Sequence, residues 1–121
     1  MRRKTCLLTL GICLAIMIGF AKAEEKFGII VYTDAKYDSG ISEFLKQMSP
    51  KSAAYRTSDS VGKVVDFYKK QAGYTLVGDP TKEGAMFRKG NVDVTIQSPY
   101  MDTKTGNMMK DTLISIVAQP E

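Results

Sequence analysis

The sequence predicts an α+β fold: a two-layer sandwich with two helices packed on a mainly antiparallel sheet. Three observations lead there. Two segments, over 39–48 and 60–72, repeat apolar residues at helical spacing. Past Gly73 the apolar period drops to two, and turn residues recur at short intervals. A sheet with one apolar face must bury it against a second layer. The expected order is β-α-β-α-β-β-β-β, with the last four strands joined tightly enough to form an antiparallel meander.

The elements follow in order. Residues 27–33, FGIIVYT, are β-branched and aromatic, and apolar on both faces from Ile29 to Val31, which predicts a central or well-covered strand. A turn over 34–38 precedes a helix that Ser39 can cap, with Ile41, Phe44, Leu45 and Met48 on one face. Ser49 and Pro50 stop it, because the residue before proline avoids the helical region. A short strand over 53–57 leads to the second helix, capped by Ser60. Its apolar face carries Val61, Val64, Val65, Tyr68 and Ala72, with Lys63, Asp66, Lys69 and Lys70 opposite. Lys69 and Lys70 suit the negative end of the helix dipole, and Gly73 suits a left-handed cap. Strands are then expected over 74–77, 85–89, 92–97 and 112–118. In the third, Val92, Val94 and Ile96 point inward while Asp93, Thr95 and Gln97 point outward.

The first residues carry an address. Arg2, Arg3 and Lys4 form a positive start, 6–21 is almost uninterruptedly apolar, and Ala21 and Ala23 flank Lys22 in the small-x-small pattern of a cleavage site. Residues 1–23 therefore read as a cleavable signal peptide and 24–121 as a single α+β domain, exported to the periplasm or beyond. As an uncleaved helix the apolar run would extend about 24 Å, short of a hydrocarbon core of roughly 30 Å. A membrane is thus expected only through the leader, if it stays attached. Ile12 is too bulky a neighbour for a lipidated Cys13.

Without the leader the charges balance. The whole chain has 17 basic and 13 acidic residues, and four of the basic ones lie in 1–23. The remaining net charge is zero, which offers nucleic acid no electrostatic footprint. Cys6 and Cys13 both belong to the leader, and the chain has no histidine. A cysteine nucleophile, a Ser-His-Asp triad, Cys/His zinc sites and haem attachment are excluded by missing residues. No cofactor or metal is expected. A domain of about 100 residues can bury about two-thirds of its unfolded surface, enough for a core without disulfides.

The chemical motifs are weak. Ser60 and Lys63 have the S-x-x-K spacing, and Lys104, Thr105 and Gly106 spell K-T-G. That chemistry needs a buried lysine between two subdomains, whereas Lys63 falls opposite the apolar stripe. A cap serine and a solvated lysine account for the same letters. Residues 102–107 faintly resemble a calcium loop, but lysine stands third and no glutamate stands twelfth, so a turn is expected. Asp34, Asp38, Asp93 and Asp102 could serve a hydrolase only if the fold brought them together. Tyr100, Met101, Met108 and Met109 cluster in the longest loop. They suit adaptable core filler, a pliable contact surface, or copper bound by thioether sulfur.

Tyr55, Thr57, Asp59, Ser60, Val61, Lys63, Val64, Val65, Phe67 and Tyr68 form Y-x-T-x-D-S-V-x-K-V-V-x-F-Y. Hairpins with Phe87, Lys89, Gly90, Val92 and Val94 follow. This pattern resembles short exported proteins of Gram-negative bacteria. The resemblance covers most of 24–121, implies export, and transfers no activity and no catalytic residue. The expectation is an exported, non-catalytic binding or interaction domain of the cell envelope. It would meet an envelope protein or a small ligand through Tyr100, Met101, Met108 and Met109. The alternatives are a small carboxylate-dependent hydrolase and an envelope-assembly or structural subunit.

Overall fold

A computed structural model describes residues 24–120; the expected leader over 1–23 lies outside the described residues. The architecture is the expected α+β sandwich of two helices and a mainly antiparallel sheet. The strands are β1 (Glu25–Lys26), β2 (Ile29–Ile30), β3 (Lys36–Tyr37), β4 (Ser52–Thr57), β5 (Thr75–Val77), β6 (Gly84–Lys89), β7 (Val92–Gln97), β8 (Tyr100–Met101), β9 (Met108–Met109) and β10 (Thr112–Ala118). The helices are α1 (Ser39–Lys46) and α2 (Val61–Lys69). Six strands form the main sheet in the order β3-β4-β10-β7-β6-β5. The expected meander is its β5-β6-β7-β10 part, and every pairing is antiparallel.

Register sorts the side chains. Tyr55 pairs with Ile114, which pairs with Ile96, so Ala53, Tyr55, Ile114, Ile116, Val94, Ile96 and Phe87 share one face. Helix α2 covers that face with Val61, Val64, Val65 and Tyr68. Ser60 caps it as expected, its Oγ accepting the Lys63 N–H at 3.2 Å. The opposite face carries Ala54 and Leu113, and there α1 packs Ile41 and Leu45. The two helices therefore lie on opposite faces of the sheet, where a two-layer arrangement had both on one.

Helix α1 departs from its expected start and stripe. Asp38 is the N-cap rather than Ser39; its Oδ1 accepts the Ile41 N–H at 2.8 Å. Phe44 and Met48 were expected on the buried stripe, yet they are 46% and 66% exposed. The helix ends at Lys46 and lies over the edge of the sheet, so only Ile41 and Leu45 find apolar surface beneath. Ser42 fastens it there. Its hydroxyl accepts the Ala54 N–H at 2.8 Å, a donor that the two-residue β3 leaves without a strand partner, and donates to the Ala54 carbonyl, which also accepts the Asp38 N–H.

The strand expected over 27–33 is a correction. Phe27 and Gly28 take φ of 55° and 83°, a turn that folds the run back on itself. Ile29 and Ile30 pair with Lys26 and Glu25 in a separate hairpin outside the main sheet. The run is apolar because Ile29 and Val31 bury against the core under α2, without two strand neighbours. This hairpin is strapped down by tyrosines. The Val31 N–H donates to the Glu24 carbonyl, so Ile30 sits at the intervening position, where its backbone groups point away from β1. Two hydroxyls meet them there: Tyr74 accepts the Ile30 N–H at 2.9 Å and Tyr68 donates to its carbonyl at 2.7 Å. Tyr55 adds a hydrogen bond to the Glu24 carboxylate at 3.0 Å. Burial, then that bond, pushes the Tyr55 phenol up to about 12.

Candidate functional site

Among the described residues, at least three places on the surface have the shape or composition of a site. The first is a groove of about 580 Å³ at the end of the sheet where β6 turns into β7. Its walls are mostly apolar: Phe27 from the β1–β2 turn, Met48 and Pro50 after α1, Val92 and Ala118 from paired strands, and Pro120. The floor is held by backbone. Ala118 N–H donates to the Lys51 carbonyl, and Gln119 N–H donates to the Asn91 carbonyl. Asn91 returns a side-chain bond to the Gln119 carbonyl at 3.2 Å. Phe27 stands out in this wall. A bulky residue at φ 55° is strained, because the left-handed region crowds its Cβ against the backbone. Asparagine or glycine would make the same turn more cheaply. In exchange the ring is presented at the groove, 37% exposed.

The second place is a polar cleft of about 520 Å³ lined by Asp34, Lys36, Asp38, Arg56, Ser58 and Asp111. Two of the four carboxylates considered for hydrolysis meet here, Asp34 and Asp38, with Asp111 as a third. Asp93 and Asp102 lie elsewhere. Arg56 Nε donates to Asp111 Oδ2 at 3.0 Å, and its Nη1 donates to Asp38 Oδ2 at 3.4 Å. The remaining oxygens are also engaged: Asp38 Oδ1 caps α1, and Asp111 Oδ1 accepts from Tyr100 at 2.6 Å. Both carboxylates are thus bound to one guanidinium and hydrogen-bonded on their second oxygen, an arrangement that positions α1 and β10 rather than a reacting water. Asp93 lies on the sheet face opposite α2, as its alternation predicts, but it is buried there. Arg88 at 2.7 Å, then Gln119 at 2.8 Å, holds its carboxyl below the usual range against the cost of burial.

The third place is the loop over 99–110, which the sequence left without regular structure. It closes as a β8–β9 hairpin in which Tyr100 pairs with Met109 and Met101 with Met108. The four residues split by face. Tyr100 is buried and Met109 partly so, both against Ile41, Ala54 and Leu113. Burial, then the bond to Asp111, raises the Tyr100 phenol. Met101 and Met108 stand side by side on the outer surface, 59% and 61% exposed. At the hairpin tip both oxygens of Asp102 accept local bonds, from the Lys104 N–H and the Thr105 hydroxyl. The K-T-G letters belong to that turn. Ser60 spends its oxygen on capping, and Lys63 is exposed.

Sequence reasoning passed over the groove. Its residues come from four stretches that are distant along the chain, and each reads locally as a turn, a helix stop or a strand end. The available signal was Gly28, a lone glycine within an apolar run, which marks a break in a strand pattern. No protein-family model, curated protein or solved structure matches this chain.

Proposed function

We propose that this chain is an exported, non-catalytic binding domain of the bacterial envelope that takes a small apolar ligand in the end groove. The observation carrying this reading is Phe27. A fold that only needed a turn would gain by replacing it, and strain of this kind concentrates where a side chain must be presented. The groove's volume falls within the roughly 300–1,000 Å³ of small-molecule pockets. Export rests on the leader pattern and on the resemblance stated above; a mature N-terminus at Glu24 by mass spectrometry is the expected result.

The test is a Phe27→Asn variant titrated with a neutral fluorescent naphthylamine. Asparagine accepts the left-handed turn, so unfolding stability should hold or rise. Affinity should fall about fivefold, matching roughly 1 kcal/mol of lost apolar contact. Unchanged affinity in a folded variant would remove the groove as the site. A second reading, docking of an envelope protein, is favoured by the exposed Met101 and Met108 pair. It predicts that glutamate at both positions abolishes capture of that partner while the groove still binds the probe.

A further inference from the structure

The charges around the groove narrow the ligand further, on the premise that the groove is the binding site. Among the described residues its lining includes one ionisable residue, Lys51, and that residue is a cation. Two more ammonium groups flank the turn that carries Phe27. Lys26 Nζ lies 5.9 Å from the Phe27 ring centroid, and Lys89 Nζ donates to the Gly28 carbonyl at 3.1 Å. Among the described residues no carboxylate lies within ion-pair distance of Lys26, Lys51 or Lys89. Glu25 precedes Lys26 in β1, and Asp93, opposite Val117, already accepts from Arg88 and Gln119. Among the described residues, one cation without a salt-bridge partner thus lines this apolar recess and two more stand by the turn that carries its Phe27 wall.

We propose that the groove binds an amphipathic anion, a hydrocarbon body ending in a carboxylate, with the chain against Phe27, Met48, Pro50 and Val92 and the head beside Lys51. Burial of the chain supplies the affinity, and the ammonium groups select the head. Each methylene buried is worth about fourfold in affinity. Partly solvated cations together contribute about five- to tenfold at low salt, screened as ionic strength rises.

The discriminating probes are decanoate, octanoate and decanol, titrated into the purified protein while amide resonances of Val92, Ala118 and Gly28 are followed. Decanoate should bind about five- to tenfold tighter than decanol at low salt, about fifteenfold tighter than octanoate, and with its advantage over decanol lost near 1 M salt. Lys51→Gln should shrink the decanoate-to-decanol ratio. Equal affinity for decanoate and decanol, or a ratio indifferent to Lys51→Gln, overturns the anion and leaves the apolar site standing. Failure of all three probes to shift those resonances overturns both. Glu121 follows Pro120 in sequence, outside the described residues; a decanoate-to-decanol ratio lowered by Glu121→Gln would also count against the proposal.

Discussion

Tyr68→Phe isolates what holds the β1–β2 strap on the sheet. The ring stays, so packing against Phe67, Tyr74 and Phe87 is preserved, and only the hydroxyl is lost. That hydroxyl donates at 2.7 Å to the Ile30 carbonyl, which faces away from β1 and takes the bond a further strand would have given. A hydrogen bond is worth about 1 kcal/mol net, and a buried acceptor left alone costs about 1–3 kcal/mol. Tyr68 is fully buried but Ile30 only half so, which admits some water to the orphaned carbonyl. The expected loss is therefore about 1–2 kcal/mol, at roughly 4–8 °C of Tm per kcal/mol for a domain of this size. Urea unfolding gives the free energy, and hydrogen exchange locates it: the Ile30 and Val31 amides should open faster while those of β7 keep their order. Tyr74→Phe removes the partner of the Ile30 N–H and should act on the same amides, with the double variant departing from additivity. The exposed Tyr37→Phe should stay within about 0.5 kcal/mol. A Tyr68→Phe protein as stable as the parent, with an unchanged exchange pattern, would refute the view that tyrosine hydroxyls replace a strand.

Two further outcomes are expected. The Asp93 carboxyl titrates lower in the folded than in the unfolded chain, so its stabilisation is present above the unfolded value of about 3.9 and disappears as pH falls through the folded one. Acid unfolding of Asp93→Asn followed by circular dichroism should lose that part of the pH dependence; a curve parallel to the parent's would show the Arg88–Asp93–Gln119 cluster to be idle. Gly84→Ala places a Cβ 2.8 Å from the Ile96 carbonyl oxygen, a backbone atom that cannot step aside. The start of β6 should separate from β7 at about 1–3 kcal/mol, and unfolding indistinguishable from the parent would contradict so close an approach.

The parts of this fold legible in the chain are those whose cause is local. Helix α2 was readable because Ser60, the valines and Tyr68 sit at fixed offsets within one helix. The meander was readable because Val92, Val94 and Ile96 alternate and the turns between strands are short. Helix α1 was placed with less success. An apolar pattern over 41–48 says which residues could be covered, and the narrow sheet edge beneath it covers only Ile41 and Leu45. The Tyr100 and methionine cluster was visible as composition, but only pairing across the β8–β9 hairpin divides it into two core residues and two exposed ones.

Composition alone excluded imidazole and thiol chemistry from the body, because no arrangement can supply a missing atom. Periodicity likewise marked which residues could leave water, since that preference belongs to each side chain. Which helix takes which face, that two hydroxyls stand in for a strand at Ile30, and that Phe27, Met48, Val92 and Pro120 enclose one recess beside Lys51 depend on contacts between distant segments. An apolar residue carries the demand to be covered, but the folded chain decides what covers it.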